Sequence, residues 1–144
     1  MRVLGIDVGD RRIGLAISDP SRTLARPLST LTVAGASDAV DRVAAVLTAL
    51  QAEDDGLDAI VVGVPSRLDG TPTTATTRVL AFIEALKSRT TLTVATEDER
   101  LTSREAESRL AVRERDWRRR KARLDAAAAA IILQDYLDRT ANRS

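Results

Sequence analysis

Three acidic positions carry the chemical possibilities of this sequence: Asp7, the adjacent pair Asp98 and Glu99, and Asp125. The chain contains neither His nor Cys. That removes the commonest general base, the Ser-His-Asp arrangement, histidine- or thiolate-ligated zinc, and any cysteine nucleophile. Chemistry here falls to carboxylates, Lys, Ser/Thr or Tyr. Carboxylates gathered in one crevice repel one another unless a cation sits between them. Oxygen-only ligands with open positions suit Mg²⁺ or Mn²⁺, which keep waters and accept substrate phosphates. Such ions, singly or as a pair, can polarise a phosphodiester and activate a water without a histidine base. Each acid also has a plain structural reading. Asp7 could be a turn residue ahead of Gly9, Asp98 and Glu99 solvated loop acids or a partner for Arg100, and Asp125 a helix N-cap.

Whether these acids share a crevice depends on the elements that carry them. Residues 2–8 (RVLGIDV) are apolar and β-leaning and are expected to form a buried central strand ending at Asp7. Gly9, Asp10 and Arg11 make a turn, and residues 12–18 (RIGLAIS) return as a hairpin partner. A third strand is expected over 25–32, and Pro27 within it argues for a sheet edge. Ser37 is the expected N-cap of a helix whose face is Val40, Val43, Leu47 and Leu50, with Asp38 in its first turn. Residues 58–65 (DAIVVGVP) form a short buried strand of the parallel kind. Thr71 and Pro72 look like the start of a second helix carrying Ala75, Val79, Phe82, Ile83 and Leu86. Residues 92–96 make a fifth strand running into Glu97, Asp98, Glu99 and Arg100. Thr102 and Glu105 form a capping box, and Asp125 is expected to open a last helix reaching about Arg139, with Ala126 to Ala130 packed close to the sheet. The pattern is an α/β domain over 1–140 with a short tail after it: a hairpin meander, then β-α-β crossovers, helices on both faces of a mixed five-stranded sheet. In open α/β sheets, ligands bind outside the carboxyl ends of the strands, where Asp7 and Asp98/Glu99 fall.

With 144 residues, 44% of them hydrophobic and 30% charged, the chain has the composition of one soluble domain. Aromatics are 2%, so the core must be Val, Leu, Ile and Ala. Neither a signal peptide nor a membrane span is evident, and a cytoplasmic protein is expected. The net charge is +1, yet seven basic residues face two acidic ones between Arg113 and Arg123. A basic stripe on a mildly acidic body suits contact with a polyanion, although a solvated helix face would look the same.

Four blocks are similar to the YqgF/RuvX family: GIDVGDRRIGLAISD (5–19), VVGVPSRLDGT (61–71), DERLTS (98–103) and KARLDAAAAAIIL (121–133). They occur in the family's order and together span essentially the whole chain. The resemblance implies a ribonuclease-H-like fold related to the RuvC resolvases, and an endonuclease maturing the 5′ end of the precursor of 16S ribosomal RNA. An older family reading is Holliday junction resolution. Position by position it implies Asp7, Asp98, Glu99 and Asp125 as catalytic acids, and Asp7, Glu99 and Asp125 as ligands of Mg²⁺ or Mn²⁺. Alternate residues of an extended chain face opposite ways, so one of Asp98 and Glu99 is expected to point at the metal, and Glu99 is the preferred one. Lys121, Arg11, Arg67 and Arg100 are implied as substrate contacts. The Asp7, Gly9, Gly14 spacing also resembles the first phosphate loop of actin-like ATPases, but those close two lobes over a nucleotide and this chain holds one.

Three activities therefore stand as expectations: a metal-dependent RNA endonuclease, a branched-DNA resolvase, and a non-catalytic nucleic-acid-binding module. Nucleic acid is the expected partner, with no membrane, and the protein a monomer or homodimer. A resolvase needs two sites at fixed separation, hence a stable dimer.

Overall fold

The computed structural model describes residues 1–67, 69–99 and 117–141, with side chains of the last stretch from 125 onward. Its strands are β1 (Arg2–Val8), β2 (Arg12–Ser18), β3 (Ala25–Thr32), β4 (Leu57–Val64) and β5 (Thr93–Asp98); its helices are α1 (Ala36–Gln51), α2 (Thr74–Lys87) and α3 (Trp117–Ala141). The strands form one mixed sheet in the order β3-β2-β1-β4-β5. β1 pairs antiparallel with β2 and parallel with β4, and β4 pairs parallel with β5. Pro27 does lie on an edge strand, where its missing N–H costs no inner ladder bond. Among the described residues no helix is long and apolar enough to cross a membrane.

Alternation along the strands sorts the core into two layers. Leu4, Ile6, Ile13, Leu15, Ile60 and Val62 point to one face and pack with Val43 and Leu47 of α1 and Val79 and Leu86 of α2. Val3, Ala16, Ala59 and Val61 point to the other and pack with Ala129, Ile132 and Leu133 of α3. The second layer is thin because its strand residues are small. A Cβ on Gly5 would lie 2.7 Å from Leu133 Cβ, and one on Gly14 would collide with the Asp125 carbonyl. The alanines of α3 and these glycines are two halves of one close approach.

All three helices start elsewhere than the sequence suggests, whereas β4 and β5 are each displaced by one residue at their start. Gly35, not Ser37, caps α1; Asp38 Oδ2 accepts the Ala34 N–H at 2.8 Å, which satisfies the backbone just ahead of the helix and lets it begin earlier. Thr73, not Thr71, caps α2. There the Thr76 N–H donates to Thr73 Oγ1 at 3.3 Å while the Thr73 N–H donates to Thr76 Oγ1 at 2.9 Å, so a second threonine replaces the usual Glu in a reciprocal box. Asp125 does not open the last helix, which already runs from Trp117. Arg, Lys and Ala are good helix formers, so the basic stretch over 117–123 continues the helix instead of preceding it. β1 runs one residue past Asp7, to Val8. The Thr102–Glu105 capping box lies outside the described residues.

Candidate active site

The sheet brings Asp7 and Glu99 together from strands that are not neighbours. Asp7 is held in the middle of the sheet, paired with Gly14 of β2. Residues 3, 5 and 7 of β1 face α3, so the Asp7 carboxyl enters the thin layer. Glu99 follows β5 directly, and its N–H donates to the Val64 carbonyl at 3.3 Å, which carries the β4–β5 ladder one step further. By the same alternation Glu99 lies on the α3 face with Ala95 and Glu97, while Asp98 lies on the α2 face. Asp98 is exposed and borders a cleft with Thr76 and Leu80 of α2.

Between Asp7 and Glu99 stands β4, two interstrand spacings of roughly 4.8 Å separating β1 from β5. The gap is closed over Gly63, where a Cβ would meet Glu99 Oε2 at 2.9 Å and collide with Ile132 Cδ1. The carboxyls of Glu99 and Asp7 share a hydrogen bond. Burial, the neighbouring charge of Asp7 and that hydrogen bond push the Glu99 carboxyl up to about 9, with a further contribution from Asp98. Burial also raises Asp7, to about 6; the bond from Glu99 lowers it and the charge of Asp125 raises it. Both shifts run upward, so the buried pair favours holding a proton between its two carboxyls.

Asp125 completes the acidic set from above. Its backbone rests on Gly14, the residue paired with Asp7, and its carboxylate acts on Asp7 through space. Arg12 Nε lies 3.3 Å from Asp125 Oδ2, and both side chains are about three-quarters buried, at 26% and 25% exposure. Arg12 is the site residue that sequence reasoning missed: Arg11, its neighbour in the turn, is exposed. The parity of β2 could have pointed to it, since residues 12, 14 and 16 share the face that meets α3. Arg67 is exposed in the loop after β4, where its N–H donates to Thr71 O at 2.9 Å. Arg100 and the Lys121 side chain lie outside the described residues.

The structure thus brings Asp7, Glu99 and Asp125 to one place, with Asp98 turned away. Among the described residues no three acidic side chains already stand at metal-ligating separation together. The chemistry of the set nevertheless fits a hard divalent cation. All its donors are carboxylate oxygens, and Glu99 Oε2 and Asp125 Oδ2 are buried with no hydrogen-bond partner. A cavity of about 580 Å³ between α1 and α2 opens on the opposite face, lined by Val40, Phe82 and Ala85 among others, and contains none of the three acids.

Comparison with known proteins agrees with this architecture. A protein of Salinibacter ruber named "Putative pre-16S rRNA nuclease" is 44% identical over 142 residues, covering 96% of this chain and 94% of its own. A Roseiflexus protein of the same name is 39% identical over 137 residues, covering 95% and 94%. Among solved structures, RuvC of Thermus thermophilus in complex with a Holliday junction substrate superposes with a TM-score of 0.56 at 18% identity, over 98% of this chain and 96% of that one. That likeness shows the fold, which is ribonuclease-H-like. The family model described as "RuvX: Holliday junction resolvase" matches residues 1–139. That match over nearly the whole chain, together with relatives 39–44% identical along most of their own length, places the chain in the RuvX (YqgF) family.

Proposed function

We propose that this protein is a divalent-metal-dependent endonuclease that processes the 5′ end of precursor 16S ribosomal RNA. The observation that carries the reading is the Asp7–Glu99 pair: two carboxyls held together in a buried layer at the strand ends, favouring a proton between them, with an orphaned oxygen beside them. A structural carboxyl pair that costs stability is hard to explain; one that exchanges its proton for Mg²⁺ or Mn²⁺ is a binding site. Asp7, Glu99 and Asp125 are the residues that would hold the ion. Bound there, it supplies Lewis-acid polarisation of a phosphoryl oxygen and activation of water.

The chain's own groups define the rest of the site. Asp7 and Glu99 fix its floor from the sheet, and Asp125 closes it from α3. Arg67, on the loop after β4, and Arg11 are both exposed, which supports a role in meeting the phosphate backbone. Arg100 and Lys121 take the same role by family resemblance. Phosphate contacts of this kind release counterions, so binding weakens with salt. The names of the full-length relatives support precursor ribosomal RNA as the substrate.

A second reading, resolution of branched DNA, is favoured by the family description and by the likeness to a RuvC bound to a Holliday junction. One experiment separates them. Purified protein with Mn²⁺ or Mg²⁺ is given a labelled precursor RNA 5′ region or a four-way DNA junction, with Asp7→Asn protein in parallel. RNA cleavage lost in the variant is the expected outcome. Cutting of the junction alone, by a stable dimer, would replace it with the resolvase. Binding without cutting by both proteins would make the fold a non-catalytic platform.

A further inference from the structure

The reading of a metal-dependent site leaves one group unexplained: a three-quarters-buried guanidinium on the carboxylate of Asp125. Its backbone is rigidly placed. Arg12 opens β2, pairs with Thr32 of β3, and its carbonyl accepts the Gly9 N–H at 2.8 Å, which closes the hairpin beside Asp7. Its side chain rises on the α3 face, two residues before Gly14.

Helix α3 does not need this ion pair to find its place. The Asp125 carbonyl already rests on the bare backbone of Gly14, and Ala129, Ile132 and Leu133 are buried against Val3, Ala16, Ala59 and Val61. These contacts fix where the Asp125 backbone lies and leave the torsions of its side chain open. Arg12 supplies what they do not, a positive charge 3.3 Å from one carboxylate oxygen, an ion pair and not a hydrogen bond. Carboxylates that bind metals are commonly held this way by an outer partner, which fixes the ligand's orientation.

We propose that Arg12 is a positioning residue that orients the Asp125 carboxylate toward Asp7 and Glu99 and so sets the site's affinity for a divalent cation. The proposal rests on the metal-dependent reading above. It differs from two simpler roles for the same pair. A strut joining β2 to α3 would affect folding stability alone. A resident cation competing for Asp125 would weaken metal binding, so its removal would tighten it.

The test measures Mn²⁺ affinity by electron paramagnetic resonance of the free ion, and the melting temperature of the metal-free protein. Arg12→Gln is expected to weaken Mn²⁺ binding by ~10–100-fold, the range typical of lost outer partners. Arg12→Lys keeps the positive charge and is expected to lose less. In an Asp125→Asn background, Arg12→Gln should cost no further affinity, because the two changes act through one carboxylate. Unchanged affinity with a lowered melting temperature would establish the strut, and tighter binding the competitor; either overturns the proposal. If Arg12→Gln does not fold, Arg12→Lys and the pair on Asp125→Asn decide it. Wild-type protein that takes no Mn²⁺ overturns the parent reading as well, whereas wild-type binding lost in Asp7→Asn but kept in Arg12→Gln overturns this inference alone.

Discussion

Gly63 leaves vacant the space that the carboxyl of Glu99 fills: a Cβ there would stand 2.9 Å from Glu99 Oε2. The absence of one methyl group on β4 thus allows a residue following β5 to reach a residue of β1.

Gly63→Ala should therefore disturb two things at once. The new methyl collides with Ile132 and displaces the Glu99 carboxyl. A stability loss of about 1–3 kcal/mol is expected from overpacking, read by urea denaturation, together with weakened Mn²⁺ binding. Intact Mn²⁺ affinity in a destabilised variant would show that Glu99 does not depend on this gap.

Glu99→Gln and Asp98→Asn should behave differently although the residues are adjacent. Glutamine resembles a protonated Glu99, so the melting temperature of the metal-free variant should barely move. Cation binding and RNA cleavage should fall by more than the ~10–100-fold typical of an outer partner. Asp98 lies on the other face and acts on Glu99 only through its charge, so its variant should lose far less Mn²⁺ affinity than Glu99→Gln. Isothermal titration of both variants checks the assignment, and equal losses would refute it.

The metal-free protein should lose stability as pH rises. Asp7 and Glu99 have folded values raised to about 6 and about 9, whereas in the unfolded chain both release their protons near pH 4. Between those limits the folded state binds more protons, so unfolding becomes easier with increasing pH, by at most ~1.4 kcal/mol per pH unit for each group. The stabilisation from this pair is complete below about pH 4 and is lost through each folded value in turn. Saturating Mn²⁺ replaces the proton and should flatten the slope across pH 6–9. Denaturation midpoints with and without Mn²⁺ test this, and identical slopes would count against a cation at the pair.

Gly14→Ala should be the most damaging glycine change in the sheet for α3. Its methyl would meet backbone, the Asp125 carbonyl, which cannot rotate away as a side chain can. Loss of the native melting transition, or a drop larger than that of Gly63→Ala, is expected in thermal unfolding. A near-native melt would mean that α3 can lift from β2 at little cost.

Much of this was legible in the linear chain, because its signals are local. The apolar runs of β1 and β4, the alternation of β2, the proline of the edge strand β3 and the alanine run of α3 together dictate a mixed sheet with helices on both faces. The lack of His and Cys confines any metal site to oxygen ligands. Alternation alone separates Asp98 from Glu99, since it acts residue by residue. Local reasoning misplaced Asp125 at the start of the last helix, because its N-cap chemistry is overridden by the helix-forming residues before it, and it gave no role to Arg12. Only the folded sheet decides those matters. The strand order puts β4 between the two acids, Gly63 opens the path across it, and the seating of α3 on Gly14 sets Asp125 within reach of Arg12. These are contacts between residues tens of positions apart, settled by which backbones can approach closely.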